Sequence, residues 1–359
     1  MTTASAKPLS SDEYPPIRTQ ILDLPLCTTS ATCKGRTFIV TGANTGLGYE
    51  AVKHLILAGA ARVIMACRST ATGEAAKAEI LSSIAADPSS SADSNAAETE
   101  LHVWPLDLSS YASVKSFAAR AEAELERLDV VIQNAGIAAS DGELRPEGHR
   151  INTTVNVLGT LLLGLLLLPQ MARTGKAYYA AGGSGDGALR PHMTFVSSGA
   201  GFEVGQAVWE SVKEDPIVRL DTLGVAPMVY PQSKILLIQA LRFFASRVAP
   251  LGRTGVVLNV LSPGLCTTQL DRYAPPAFRE QIAKDRQSYG RTAEQGSRTL
   301  LHGAVAGPES HGKYLSDCRI AEDKLPSWLA TDDGERSWQV VAEELEKAVP
   351  GCVEAATAL

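Results

Sequence analysis

Short apolar runs alternate with longer amphipathic stretches along most of this chain. RTFIVTG (36–42), RVIMAC (62–67), LHVWPL (101–106), DVVIQNAG (129–136), HMTFVSS (192–198) and GVVLNVLSPG (255–264) are apolar with little alternation. Such runs suit strands of a parallel sheet covered on both faces. Helical stretches fall between them, through about Ala58 and around 71–84, 111–126, 147–170 and 230–248. The alternation predicts an α/β, doubly wound Rossmann fold, a central and mostly parallel sheet flanked by helices in a single domain over 35–320.

Several segments stand outside the repeat. Residues 1–34 form a polar, Pro-containing N-terminal extension, and 321–359 a C-terminal tail with a helix. Stretches near 82–100 and 174–190, rich in Ser, Ala, Gly and Asp, read as flexible surface insertions. Residues 199–229 and 265–310 are long and undivided. The first mixes Phe202, Val208, Trp209 and Met228 with charges. It reads as a substrate-facing flap, or as a surface excursion packing on the C-terminal tail.

Composition narrows the function. A net charge of -6 with no basic block argues against a nucleic-acid partner. The most apolar run, 157–169, is shorter than the ~20 residues of a membrane span and closes on Pro169, so a buried helix is expected. Six scattered cysteines show no disulfide framework or metal spacing, and no metal site is expected. With no signal-peptide pattern at the N-terminus, the expectation is a cytoplasmic protein.

The first strand ends in Thr41-Gly42-Ala43-Asn44-Thr45-Gly46-Leu47-Gly48. Glycines between a first strand and a first helix let the backbone approach a pyrophosphate, and the helix N-terminus attracts it. Gly42, Asn44, Thr45, Gly46, Leu47 and Gly48 are therefore candidate cofactor residues, the alternative being a plain βα turn. The second strand ends Ala66-Cys67-Arg68-Ser69, with no acid in 62–70 to hold ribose hydroxyls. Arg68 stands where a 2′-phosphate would lie, and its planar donor fork favours NADP(H) over NAD(H). A solvated surface arginine is the alternative.

Reducing a carbonyl requires a proton donor. Bringing a phenol from about 10 to near neutrality takes roughly 4 kcal/mol of preferential phenolate stabilisation. A lysine one helical turn away supplies positive charge for this. Tyr-x-x-x-Lys occurs at Tyr49/Lys53, Tyr111/Lys115 and Tyr230/Lys234. Only Tyr230/Lys234 follows a strand of the second half, beside the crevice expected for a nicotinamide.

The ordered set TGANTGLG (41–48), LDL (106–108), NAG (134–136), NVLG (156–159), VSS (196–198), YPQSK (230–234) and SPGLCTT (262–268) resembles the short-chain dehydrogenase/reductase family. GKYLSDC (312–318) and ERSWQVVAEEL (335–345) are similar to its retinol-dehydrogenase-like branch. The resemblance implies Tyr230 as general acid/base and Lys234 as its activator and ribose anchor. Ser198 would bind the substrate oxygen, and Asn156 would support a proton relay. It further implies Asp107 and Leu108 near the adenine, Asn134, Ala135 and Gly136 along the cofactor cleft, and Pro263, Gly264 and Thr268 at the nicotinamide amide. Read without it, Ser198 ends a strand, Asn156 is a buried amide, and Asp107 caps the helix beginning near Ser110.

Pro231 fits the first turn of a helix starting at or just before Tyr230. The implied activity is hydride transfer with NADP(H) on a mid-sized lipophilic carbonyl or alcohol. Similarity to reductases of fungal secondary metabolism suggests a polyketide-like substrate. An isomerase, dehydratase or cyclase on the same scaffold is the alternative, and a non-catalytic NADP-binding protein a third. Helices 147–170 and 230–248 are apolar enough to build a homodimer or homotetramer interface.

Overall fold

Eight strands pair in the order β3-β2-β1-β4-β5-β6-β7-β8, as seen in a computed structural model that describes residues 20–86, 98–139, 143–179, 189–222, 229–332 and 334–359. The strands are β1 (Thr37–Thr41), β2 (Arg62–Cys67), β3 (Glu100–Pro105), β4 (Val130–Gln133), β5 (His192–Val196), β6 (Val257–Ser262), β7 (Tyr314–Ser316) and β8 (Arg319–Ile320). All pairs are parallel except β7–β8. β1, β4, β5 and β6 are buried along their whole length. The edge strand β3 instead alternates, with Glu100 and His102 exposed and Leu101 and Trp104 buried.

The helices α1 (Gly46–Leu57), α2 (Thr70–Ala86), α3 (Tyr111–Glu124), α4 (Ile151–Tyr178), α5 (Val229–Phe243), α6 (Pro276–Tyr289), α7 (Ala293–Val305) and α8 (Glu335–Ala348) cover both faces. Ile39, Ile64 and Val131 pack under α3, α4 and α5, while Phe38, Val40, Val63 and Ile132 pack under α1, α2 and α7. This is the doubly wound Rossmann arrangement that the alternating pattern predicts, in one domain.

Three expectations need correction. α4 does not stop at Pro169 but carries it inside the helix and runs on to Tyr178, into the stretch read as an insertion. Proline removes one hydrogen bond, and the buried packing of Leu165, Leu167, Leu168 and Met171 on the core outweighs that loss. α2 likewise reaches Ala86 and β3 starts at Glu100, so the remainder of the expected insertions, 87–97 and 180–188, lies outside the described residues. The undivided stretch 265–310 holds α6 and α7. α4 is long and apolar enough to cross a membrane, yet 83% of its most apolar window is buried inside the fold.

Residues 199–222 make a 3-10 turn (Gly199–Val204) and two short helices, Gln206–Val212 and Pro216–Thr222. Phe202, Trp209, Val212, Ile217 and Leu220 are buried. Trp209 Nε1 donates to Asp332 Oδ2 at 3.4 Å and Arg336 holds Glu214 O at 2.7 Å. The segment thus packs on the C-terminal tail, and only its first turn faces the site. Val208 is exposed and Met228 lies outside the described residues. The tail itself covers α5 with α8 and α4 with the last helix, Cys352–Thr357. The faces expected to bind a second subunit are therefore covered from within the chain.

α4 opens with a π-helical segment, Thr154–Gly159, inside its first turns. Gly159 there is set by close approach: a Cβ would lie 2.1 Å from the Leu108 carbonyl oxygen. Glycine to alanine ordinarily stabilises a helix interior by roughly 0.5–1 kcal/mol. Gly159→Ala is expected to do the opposite, destabilising by about 1–3 kcal/mol through overpacking. Urea unfolding of the two proteins measures the sign.

Candidate active site

A cavity of about 1120 Å³ opens at the carboxyl ends of β1, β4, β5 and β6, the side on which open α/β sheets bind ligands. Its floor is the glycine turn. Gly42 (φ +66°) and Gly46 (φ +61°) take left-handed backbone that side chains resist. Thr45 precedes α1 without capping it, so the first N–H groups of the helix are left for a ligand beside Asn44, Thr45, Gly46 and Leu47. Gly48 lies behind the turn, where a Cβ would fall 2.7 Å from both Asn134 Nδ2 and Gly42 O. Asn134 Nδ2 donates to Thr41 O at 2.8 Å and Ala135 N to Thr41 Oγ1 at 2.9 Å, stitching β4 to β1 beneath the cavity. Gly136 lines the wall beyond them.

Arg68, at the end of β2, lines the far end with Ser69 and Thr72. Asp107 and Leu108 line the same end. Asp107 Oδ1 accepts from Ser109 N (2.9 Å) and Ser109 Oγ (2.6 Å) in a local turn. The cap of α3 is Ser110, whose side chain accepts from Ser113 N, so Asp107 is not the N-cap.

Ser198, Tyr230 and Lys234 meet at the opposite end. Pro231 sits in the first turn of α5, which begins at Val229 and keeps the Tyr–Lys spacing. Lys234 is held at both ends: its carbonyl accepts from Ser197 Oγ (2.9 Å) and its Nζ donates to Val196 O (2.9 Å). Ser198 caps the 3-10 turn through Ala200 N, and its hydroxyl lies close enough to Tyr230 to favour the phenolate. Burial pushes the Tyr230 phenol up to about 12, and the Ser198 hydroxyl and the Arg286 charge pull the other way. Burial alone draws the Lys234 ammonium down to about 8. Nζ lies 5.8 Å from the Tyr230 ring centroid, and the lysine is not what favours the phenolate here.

Asn156 sits in the π-helical segment, fully buried. Its Oδ1 accepts from Ile137 N (2.9 Å), and its Nδ2 donates to Ile137 O (2.9 Å) and Ser233 Oγ (3.1 Å). The amide ties the β4 loop to α5 and has no side-chain link to Lys234. Pro263, Gly264 and Thr268 line the cavity across from it, and a Cβ on Gly46 would touch Thr268 Cγ2 at 3.4 Å. Neither Tyr49/Lys53 nor Tyr111/Lys115 reaches the cavity.

Other walls come from residues the sequence pattern left unassigned. Gln20 bridges Leu265, accepting from its N–H (2.9 Å) and donating to its carbonyl (3.0 Å). The fully buried Arg291 holds Ile21 O (2.6 Å), Pro263 O (2.6 Å) and the Asp317 carboxylate. Phe278, Ile282 and Arg286 enter from α6. The Pro275-Pro276 start of that helix is the signal that marks it, since proline suits a first helical turn. Nothing local marks Gln20 or Ile21.

A sequence profile of the short chain dehydrogenase family matches residues 36–183. The short chain dehydrogenase/reductase dmxR8 of Cryptosporiopsis sp. (strain 8999) is 33% identical over 324 residues, covering 88% of this chain and 92% of its own. The chain belongs to the short-chain dehydrogenase/reductase family. Two solved structures share the fold. The RhlG/NADP active-site complex of Pseudomonas aeruginosa matches at TM-score 0.55 and 21% identity, over 79% of this chain and 94% of its own. The 3-ketoacyl-(acyl-carrier-protein) reductase of Brucella melitensis, complexed with NADH, matches at 0.54 and 19%, over 79% and 96%. The enzyme is accordingly an oxidoreductase of a family that uses NAD(H) or NADP(H). The uncapped N-terminus of α1 and the glycines below it fit the pyrophosphate of either.

The buried Lys234 carries a stability consequence. Its folded value near 8 lies below the ~10.4 of an unfolded lysine, so unfolded chains bind the proton more readily between these values. This contribution to stability therefore rises as pH climbs from about 8 to about 10.4. Lys234→Met is expected to be more stable than wild type at pH 7 by on the order of 1–3 kcal/mol, the gap narrowing by pH 10. Denaturant unfolding at the two pH values checks it.

Proposed function

We propose that the enzyme is an NADP(H)-dependent carbonyl reductase, or alcohol dehydrogenase in reverse, for a mid-sized lipophilic and polyketide-like substrate. One observation carries this: a single cavity joins the Ser198–Tyr230–Lys234 cluster at one end to Arg68 at the other, with the glycine turn between them. No acidic residue occurs in 62–70 to hold a free 2′-hydroxyl. The lipophilic preference is supported by Ile151, Val155, Leu270, Phe278 and Ile282 on the cavity wall.

The bound nicotinamide supplies or accepts the hydride. Tyr230 gives its phenolic proton to the substrate oxygen as the carbonyl carbon becomes an alcohol carbon, and takes it back in the reverse direction. Ser198 donates a hydrogen bond to the same oxygen and stabilises its developing charge. Lys234 has only one acceptor among the described residues, Val196 O, so its other N–H groups are available for ribose hydroxyls. Engaging there, its charge would lower the Tyr230 phenol from the high value that burial alone imposes. Asn156 is a positioning residue that fixes the β4 loop against α5.

The test is a panel of ketones and aldehydes with NADPH and NADH, followed by cofactor absorbance. Tyr230→Phe is expected to lose at least about 100-fold in kcat. Full turnover by Tyr230→Phe overturns the assignment of the acid. Arg68→Gln is expected to lower kcat/KM for NADPH by about tenfold or more while leaving NADH nearly unchanged. Equal wild-type use of the two cofactors overturns the NADP(H) preference.

A further inference from the structure

The loop between β6 and α6 crosses the mouth of the cavity instead of turning away from it. It bridges in parallel to Arg291 through Cys266, then to Ala139 beyond β4 through Tyr273. Between the two bridges the loop passes the glycine turn, where a Cβ on Gly46 would lie 3.4 Å from Thr268 Cγ2. The Arg272 and Arg68 guanidinium groups, far apart in sequence, both come close enough to the Tyr273 hydroxyl to lower its pKa. The Arg272 guanidinium carbon lies 4.7 Å from the Tyr273 ring centroid, and both arginines line the cavity.

Neither guanidinium pairs with a carboxylate among the described residues. Among the described residues the Arg272 guanidinium donates one hydrogen bond, from Nη1 to Gln269 O at 2.9 Å. Two like charges converging on a neutral phenol oxygen repel each other. Most of their donors are unspent, and a neutral acceptor is a poor match for them. An oxygen-rich dianion at that point would neutralise both and accept from both forks. This holds whether it replaces the phenol contact or sits beside it.

We propose that Arg272, brought over the cavity by the β6–α6 loop, joins Arg68 in gripping the 2′-phosphate of the dinucleotide. The assignment rests on the NADP(H) reading above. It divides recognition of that phosphate between opposite walls. Arg68 is fixed on the sheet, and Arg272 rides on a strap that closes over the cofactor. The strap ends in α6, which also carries Phe278 and Ile282 to the cavity wall and Arg286 to within reach of Tyr230. Binding of the 2′-phosphate thereby helps set the wall against which the substrate rests.

Titration calorimetry on the full chain tests this without turnover. The ligands are NADPH, NADH, 2′,5′-ADP and 5′-AMP, against wild type, Arg272→Gln, Arg272→Lys and Arg68→Gln/Arg272→Gln. Arg272→Gln is expected to weaken NADPH and 2′,5′-ADP by about tenfold, and NADH and 5′-AMP by less than about twofold. Arg272→Lys keeps the charge and is expected to fall between, which keeps the test valid if the glutamine variant fails to fold. The double variant is expected to lose less than the product of the single effects, because both arginines act on one group. Equal weakening of NADPH and NADH by Arg272→Gln would instead place Arg272 on the pyrophosphate and overturn the proposal. So would unchanged NADPH affinity. A wild type that binds NADH as tightly as NADPH overturns the cofactor reading itself, a result separate from either of these.

Discussion

Everything in this enzyme hangs on the reversal of strand order beside β1. β1 pairs with β2 on one side and β4 on the other, and the connections leave in opposite directions. No helix crosses the carboxyl ends of the strands there, and the crevice that remains becomes the cavity. The gap must still be held to a fixed width. The hydrogen bonds of Asn134 and Ala135 to Thr41 do this from below, and Gly48 lets α1 settle against Asn134 with no side chain between them. The glycine turn is thus a packing constraint as well as a lining of the cavity.

The end of the cavity that holds Ser198, Tyr230 and Lys234 is assembled at a cost to the fold. Lys234 is almost wholly buried and Tyr230 is enclosed with it, in surroundings that disfavour charge on either. Two hydrogen bonds from opposite ends of Lys234 lock α5 to the end of β5, so the side chains are placed even though their charges are not yet favoured. Preorganised position with unrelieved electrostatics is the condition in which a bound partner has most effect. Arg291 has a comparable role at the rim. One buried guanidinium collects the N-terminal segment, the Pro263 turn and the Asp317 turn after β7.

The segments outside the βα repeat turn out to be walls and covers. The N-terminal extension delivers Gln20 and Ile21 to the cavity, and α6 delivers an apolar side. α6 itself has no buried residue, consistent with a cover that rests on a site instead of joining the core. The C-terminal helices seal α4 and α5. Trp338 stacks near Phe244 at 4.7 Å between ring centroids, and Val341 and Leu345 are fully buried.

What the sequence determined by itself was local and periodic. Unbroken apolar runs place β1, β2, β4, β5 and β6 almost to the residue, because a strand buried on both faces tolerates few polar side chains. The glycine turn, the missing acid before Arg68 and the order of Ser198, Tyr230 and Lys234 were legible for a similar reason. Each motif is contiguous and bound to one strand end or one helical turn. Proximity between distant segments was not legible. Which of three Tyr–Lys pairs faces a cavity was inferable only from position and was decided by the sheet. That Asn156 spends its amide on Ile137 and Ser233 depends on contacts 19 and 77 residues away. Gln20 reaching Leu265, and Arg272 reaching Arg68 through Tyr273, have no periodic signature at all. Such contacts are fixed when the sheet brings strand ends together, so the motifs could be read in one dimension and the enclosure around them only in three.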